Sequence, residues 1–266
     1  MRAGCAAPDG AAATERLAAA RARRHSGAMP PAPLLSFASQ SFVPLAERAL
    51  FWPRHRALIV ADLHLEKASF YAAAGQPLPP YDSYDTLDRL ARLAGETGAE
   101  AVWCLGDSFH DREAAARIVP AVAARLHAQA AATRIVWIAG NHDGLAGGAW
   151  GGAVADEMIV DGIAFRHQCR ADEARPEISG HFHPKLRLTL RGRSVSRPCF
   201  AGDARRLILP AFGSLTGGLD VAAAPIATNF SGAYDAMLVA EGRLLRFACA
   251  LAGGRDATAR AVRAAG

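Results

Sequence analysis

Long apolar runs are missing from this sequence: none of about 18 residues occurs within its 266, so no membrane-spanning helix and no membrane partner are expected. Cysteines are few and poorly spaced. Cys5, Cys104, Cys169, Cys199 and Cys249 are odd in number and contain no Cys-x-x-Cys pair, which favours reduced, structurally passive thiols. Arg23-Arg24 could open a twin-arginine export signal, but Pro30, Pro31 and Pro33 follow where such a signal needs an apolar segment. A cytoplasmic protein is expected. No internal repeat is present.

The body of the chain also lacks net charge. The whole carries +5 with a pI near 9.2. Residues 1–35 hold five arginines against Asp9 and Glu15, and residues 251–266 hold three against Asp256, which accounts for all of the excess. A basic pI that resides in the tails is poor support for a polyanionic partner, so local clustering must carry that inference. The composition, 51% hydrophobic and 21% charged, is that of an ordinary globular protein with enough chain for a sizeable core.

Residues 1–35 are rich in Ala and Arg, with three late prolines and no second apolar stripe to pack against. They read as a disordered extension with at most a short helix at 14–24, and Met29 is an alternative start. Residues 36–250 read as one domain and 251–266 as a frayed tail. Strands are predicted at 58–61, 101–105 and 135–139, each ending on a polar motif, with a helix from Asp82 or Ser83 to about Glu96 closed by Gly98. A second helix over 112–130 is predicted to bend at Pro120. Further strands follow at 157–160, 163–167, 177–181, 185–191, 194–200, 205–211, 233–240 and 243–249. Alternating strands and helices followed by strands alone suit two packed sheets flanked by helices, with ligands gathered beyond the carboxyl ends of the strands.

Five clusters occupy such positions. Asp62 and His64, two apart at a strand end, are expected to point the same way and meet one cation. Gly106-Asp107 presents a carboxylate whose two oxygens suit a bridge between metals, whereas Asp111 is the better candidate for a helix cap and His110 faces either phosphate or solvent. In Gly140-Asn141-His142-Asp143, the Asn141 amide oxygen can ligate while its amino group donates to substrate. His142 should point elsewhere, and an imidazole of ordinary pKa near 6.5 suits it to protonate a leaving group. His167 ends a strand, and His181 and His183 repeat the same-side spacing between Gly180 and Pro184. This nitrogen and oxygen set without thiolate fits two divalent ions, Mn²⁺, Fe²⁺ or Zn²⁺, of the kind that sit about 3.5–4 Å apart and hydrolyse phosphate esters.

The order Asp-x-His, Gly-Asp, Gly-Asn-His-Asp, His, Gly-His-x-His over residues 62–183 resembles the calcineurin-like metallophosphoesterase superfamily. Ala61 to Lys67, Leu105 to Asp111, Ser179 to Lys185, and Leu209 to Gly213 running into Thr216 to Leu219 are similar to the bacterial ligase-associated DNA damage-response endonucleases. The resemblance extends over about residues 36–249. It implies an α/β fold, a four-layer α/β/β/α sandwich of two mixed sheets flanked by helices, and a manganese-dependent DNA phosphodiesterase working with DNA ligase, helicase and exonuclease repair proteins. It further implies that Asp62, His64, Asp107 and His183 hold one metal, that Asp107, Asn141, His167 and His181 hold the other, and that His142 is the acid. One departure is visible: members often carry a His-Gly-His-type segment where this chain has His167-Gln168-Cys169.

From Lys185 the residues alternate, with Lys185, Arg187, Arg191, Arg193 and Arg197 at odd positions and Leu186, Leu188 and Leu190 at even ones. With Arg205 and Arg206, seven basic residues stand against Asp203. Lys185, Arg187 and Arg191 are candidate phosphate contacts for DNA, and a solvated face interrupted by a turn at Arg191-Gly192-Arg193 is the alternative. The glycine-rich segment 213–219 either approaches the site or simply turns. A DNA endonuclease is the first functional expectation. A phosphatase or phosphodiesterase for nucleotides, cyclic nucleotides or phosphomonoesters is the second. A non-catalytic interaction module is disfavoured by the intact His142 and complete ligand set.

Overall fold

The computed structural model describes residues 32–143, 146–190, 192–249 and Arg260–Ala261. The expected helix at 14–24, Arg191 and the rest of the two tails lie outside the described residues. Strand β1 (Leu35–Phe37) begins inside the segment read as an extension, and Leu35 is buried.

Seven strands form the first sheet in sequence order. β1, β2 (Gln40–Pro44) and β3 (Leu50–Trp52) make an antiparallel meander into β4 (Ala57–Val60), and β4, β5 (Ala101–Leu105), β6 (Arg134–Ile138) and β7 (Ala153–Ala155) run parallel. Parallel neighbours need crossovers. Helices α1 (Lys67–Ala73) and α2 (Asp82–Thr97) supply the first, and α3 (Ala114–Arg117) and α4 (Pro120–Ala132) the second.

The second sheet is ordered β8 (Glu157–Val160), β9 (Ile163–Arg166), β10 (Glu177–Ser179), β14 (Arg206–Ile208), β13 (Phe200–Gly202), β15 (Tyr234–Ala240), β16 (Arg243–Cys249) and β17 (Arg260–Ala261). Strands β9, β10 and β14 are parallel and the others antiparallel, so both sheets are mixed.

Strand periodicity explains the layers. In β5, Trp103 and Leu105 face the second sheet, where they meet Phe165, Ile178 and Leu207, while Val102 and Cys104 face the helices with Leu87, Leu90 and Leu126. A strand buried on both faces has no polar side, which is why these runs are continuously apolar. Trp52 and Trp103 lie against Phe165 across the sheet interface, with ring centroids 5.7 and 5.0 Å apart. The outer face of the second sheet is covered more thinly, by the one-turn helix α5 (Ala224–Ala227) and a hairpin of β11 (Lys185–Leu190) and β12 (Arg193–Pro198), around Phe182, Leu186, Ile226 and Phe230. The architecture is the α/β sandwich expected. Among the described residues no helix is long and apolar enough to cross a membrane.

Several local expectations change. The helix over 112–130 is not bent but divided: Ile118 and Val119 are extended, and Pro120 opens α4 at its first turn, because a residue preceding proline avoids the helical region. Asp82 and Ser83 do not cap α2. They lie in its first turn and reach back to α1, with Ser83 Oγ accepting from Glu66 N–H and Asp82 Oδ2 from Ala68 N–H. Gly98 does close α2 in the left-handed conformation. The strand expected over 194–200 is interrupted at Cys199, where the chain passes from hairpin to second sheet.

Arg166, at the end of β9, is only 3% exposed and holds Glu177 at 2.7 Å, Glu157 at 2.7 Å and Glu173 at 2.9 Å. Removing one member of a buried ion network leaves the others uncompensated. Arg166→Met is expected to lower stability by about 3 kcal/mol, measured as a shifted midpoint in urea unfolding. An unshifted midpoint would show that the network contributes nothing net.

Candidate metal centre

The polar motifs leave the carboxyl ends of β4, β5 and β6 in one sheet and of β9 and β10 in the other, so both sheets deliver their loops to a common edge. The backbone there is unusual. Asp62, His64, Asp107, His181 and His183 all have positive φ, between 45° and 74°. This corrects the reason given for the Asp62–His64 pairing: neither residue lies in a strand, and left-handed turns bring their side chains together rather than the strand pleat. Each such turn costs a non-glycine residue about 1–2 kcal/mol. Asp and His in this conformation are a mark of functional loops.

The side chains converge in two groups, either of which could hold a metal ion: Asp62, His64 and His183, and Asp107, His167 and His181. In the first, His64 Nε2 and His183 Nε2 are 3.3 Å apart and His183 Nε2 is 3.5 Å from Asp62 Oδ1. In the second, Asn141 Oδ1 lies 2.7 Å from His167 Nε2 and 3.1 Å from His181 Nδ1, and those two nitrogens are 3.0 Å apart. Ligands of one cation bound at about 2.1 Å sit about 3.0–3.4 Å from each other, so the spacing fits. Asp107 Oδ2 stands between the groups, 3.4 Å from His167 Nε2 and 4.0 Å from His64 Nε2.

Hydrogen bonds around the groups fix which atoms point inward. The Leu105 carbonyl, 3.1 Å away, accepts a hydrogen bond from His167 Nδ1–H, which leaves Nε2 free to ligate. Asp62 accepts from His181 N–H through both oxygens, at 3.2 and 2.9 Å, and Asp107 Oδ1 accepts from His142 N–H at 3.0 Å. Each carboxylate thereby anchors the loop that carries a later ligand. Asp143 belongs to neither group: it accepts from the N–H groups of Ser108, Phe109 and Gly140, joining the second motif to the third. Burial pushes its carboxyl up, against those donors.

Close approach explains two glycines. A Cβ on Gly140 would lie 2.1 Å from Asp107 N and 2.2 Å from its Oδ1, and one on Gly180 would lie 2.5 Å from Asp62 Oδ2.

His142 does not point away from the centre. Its Nε2 is 3.8 Å from Asp107 Oδ2 while its side chain stays 44% exposed, so it forms the rim. His110 stacks on it with ring centroids 5.8 Å apart and planes within 13°, and faces the centre rather than open solvent. Asp111 is structural but does not cap the helix as expected: α3 starts later, with Glu113 at its N-cap position, and Asp111 accepts from Glu113 N–H and pairs with Arg117. The hairpin register revises the basic stripe. Arg187 is exposed opposite Ser196, but Arg197 faces Leu186 and Arg193 faces Leu190, so those two share the opposite face. Arg205 and Arg206 leave it altogether: Arg205 bonds the carbonyls of Glu173 and Ala174, and Arg206 binds Glu177, at the amino ends of β10 and β14. Lys185 and Arg187 remain on the strand that follows His183, with Arg187 Nε 3.7 Å from Asp220 Oδ2. The glycine-rich loop does approach: Gly213 N–H donates to the Asp62 carbonyl at 3.1 Å, and Leu219 O accepts from Lys185 N–H at 2.8 Å. The rim formed by Lys67, Phe70 and Tyr71 on α1 carried no periodic signal, and only its place after His64 could have indicated it.

Comparison with known proteins agrees with this geometry. The family model for calcineurin-like phosphoesterases matches residues 55–192. The crystal structure of the Pseudomonas putida nuclease MPE is similar at 32% identity with a TM-score of 0.61, over 80% of this chain and 98% of that one. Yfce, a phosphoesterase from E. coli, aligns at 13% identity with a TM-score of 0.36, over 70% of this chain and 92% of that one. No curated protein sequence matches the chain.

The metal-free centre disfavours protons. Burial, then the charges of His183 and Lys67, pushes His64 down to about 2, burial and Lys67 push His110 down to about 4, and burial lowers His181. Below the ordinary histidine pKa near 6.5 the unfolded chain binds protons that the folded chain refuses, so stability falls with falling pH through that value and on towards these lowered ones. The metal-free protein should therefore melt at a lower temperature at pH 5 than at pH 7, and His110→Gln should flatten the dependence. Equal melting temperatures in calorimetry would contradict the assignment.

Proposed function

The chain belongs to the calcineurin-like phosphoesterase family, and from that membership we propose that it is a dinuclear, metal-dependent DNA phosphodiesterase of the cytoplasm that acts in repair on single-stranded or flexible DNA. The observation that carries this reading is Asp107 Oδ2, placed within 4.0 Å of a ligand nitrogen in each of the two groups. Asp62, His64, Asp107 and His183 would hold one ion, and Asp107, Asn141, His167 and His181 the other. Mn²⁺ is the expected ion, with Fe²⁺ or Zn²⁺ as alternatives, and the pair supplies water activation and neutralisation of phosphoryl charge.

The chain's own groups do the rest. Asn141 is exposed with its carbonyl oxygen turned to His167 and His181, which leaves the amino group to donate to a phosphoryl oxygen. His142, half-exposed at the rim with Nε2 3.8 Å from Asp107 Oδ2, would donate a proton to the departing alkoxide. Lys185 and Arg187, continuing from His183, neutralise neighbouring phosphates on the same strand. DNA is favoured over a small ester because the nuclease of Pseudomonas putida is similar over four-fifths of the chain and because the rim is open. The repair setting and its ligase, helicase and exonuclease partners rest on the sequence motifs.

A Mn²⁺-loaded panel of circular single-stranded DNA, duplex DNA, cyclic nucleotides and phosphomonoesters should show cleavage of the circle and none with Asn141→Ala. Turnover of small esters with the circle untouched would favour the second reading. His142→Ala should bind both metals yet lose about 10²–10⁴-fold in rate on poor leaving groups, and full turnover would remove the acid role. Lys185→Ala with Arg187→Ala should flatten the log–log salt slope of single-strand binding by about 1.4, measured by fluorescence anisotropy. An unchanged slope would mean that this face is only solvated.

A further inference from the structure

Helix α1 is held in place, yet it buries little. Ala68 is its one buried residue. Its first turn is tied to α2 through Glu66 and Ala68, and Ser69 Oγ accepts from Arg117 Nε at 3.1 Å. A seven-residue helix fixed by polar contacts at this edge is suited to presenting side chains rather than to filling a core.

What it presents is aromatic. Phe70 is 40% exposed, and it is the only one of the exposed large hydrophobic residues among those described whose ring meets a histidine of the centre. Its ring is 4.8 Å from that of His110 and edge-on to it, while Tyr71 lies near-parallel to His110, within 23° at 6.2 Å. His110 in turn is near-parallel to His142. Two ring-to-ring steps, 4.8 and 5.8 Å, therefore lead from Phe70 to the rim histidine beside Asp107. A ring kept only for packing would be buried, whereas this one leaves part of its surface to solvent next to the centre. Lys67, one turn earlier on the same helix, adds positive charge close enough to act on both His64 and His110.

We propose that Phe70 and Tyr71 form a stacking ledge for an unpaired nucleobase adjoining the scissile phosphate, and that this ledge makes the centre selective for single-stranded nucleic acid. The inference rests on the phosphodiesterase reading above and adds the part of the substrate that is recognised. Stacking on an aromatic ring is available to every base, so the ledge gives strand selectivity without sequence selectivity. In a duplex each base face is covered by its neighbours, and presenting one requires unstacking.

The test compares a thymidine oligonucleotide with an oligonucleotide of the same length made of abasic sites, which keeps the phosphates and removes the rings. Binding to the full-length protein is read by fluorescence anisotropy in EDTA, so that no cleavage intervenes, and then by cleavage with Mn²⁺. The wild type should bind the thymidine strand about tenfold more tightly than the abasic one, a ratio within the range of single-base stacking. Phe70→Ala with Tyr71→Ala should bring the ratio close to one. Phe70→Trp should preserve it, with new indole emission quenched by the thymidine strand and not by the abasic one. A ratio near one in the wild type, or a ratio unchanged in the double variant, overturns the ledge while cleavage of both strands leaves the phosphodiesterase reading standing. Failure of the wild type to bind or cleave either strand overturns both.

Discussion

Two carboxylates buried beside one another impose the main constraint on this structure. Asp62 and Asp107 are almost wholly removed from water, and a buried carboxylate without compensation costs several kcal/mol even after relaxation. Compensation comes first from the backbone. Asp62 takes the amide of His181, and Asp107 takes the amide of His142. These bonds cross the molecule: Asp62 follows β4 in one sheet and His181 follows β10 in the other, so the charge of one side chain fixes the distance between the sheets at their shared edge. The left-handed turns and the close-packed glycines follow from the same requirement, since an amide reaches a buried carboxylate only where the chain turns sharply and nothing larger than hydrogen intervenes.

The second half of the compensation is the convergence of imidazoles. Histidine nitrogens facing one another at 3.0 and 3.3 Å make poor partners for each other, because a pair of neutral rings can share only one proton and a pair of charged rings repels. Burial and then the charges of His183 and Lys67 oppose protonation at His64, so that ring is a poor source of charge to balance the carboxylates. Divalent cations meet both demands together. The edge carrying the centre is therefore costly on its own, and the continuous apolar interior between the sheets, with Trp52, Trp103 and Phe165 at its middle, supplies the rigid frame that tolerates it.

How much of this could be read from the residues depends on whether a feature is decided locally. Strands β4, β5 and β6 were legible because burial on both faces leaves hardly a polar position, and the convergence of the candidate ligands could be anticipated because each follows a short apolar strand, β4, β5, β6, β9 or β10. Gly98 was legible because one residue in one conformation ends a helix. Asp82 and Ser83 were misleading because a cap and a tertiary tie use the same side chains, and only the fold decides which amide is nearest. Parity carried straight through the hairpin turn puts Arg193 and Arg197 on the face of Arg187, whereas strand pairing sets face by register and places Arg197 opposite Leu186. The pairing of Asp62 with His64 was right for the wrong reason, since turn geometry delivered what pleat geometry had been expected to deliver.

The centre alone is indifferent to what the phosphate is attached to, so selectivity has to come from its flanks, and these belong to different sheets. On one side stand α1 and His110, carried by the loops after β4 and β5. On the other stands the β11–β12 hairpin, which continues from the segment after β10. A ligand touching both flanks bridges the two sheets at the edge where Asp62 joins them. The 213–219 loop stiffens that junction, because Gly213 donates to the Asp62 backbone while Leu219 accepts from Lys185 at the base of the hairpin. The spacing of the flanks is thus set by the same residue that helps to form the centre, so binding on the flanks and placement of the reacting phosphate cannot vary independently. On the proposed reading, an extended chain with phosphates on one edge and unpaired rings on the other would engage both flanks, whereas a phosphomonoester would engage the centre alone.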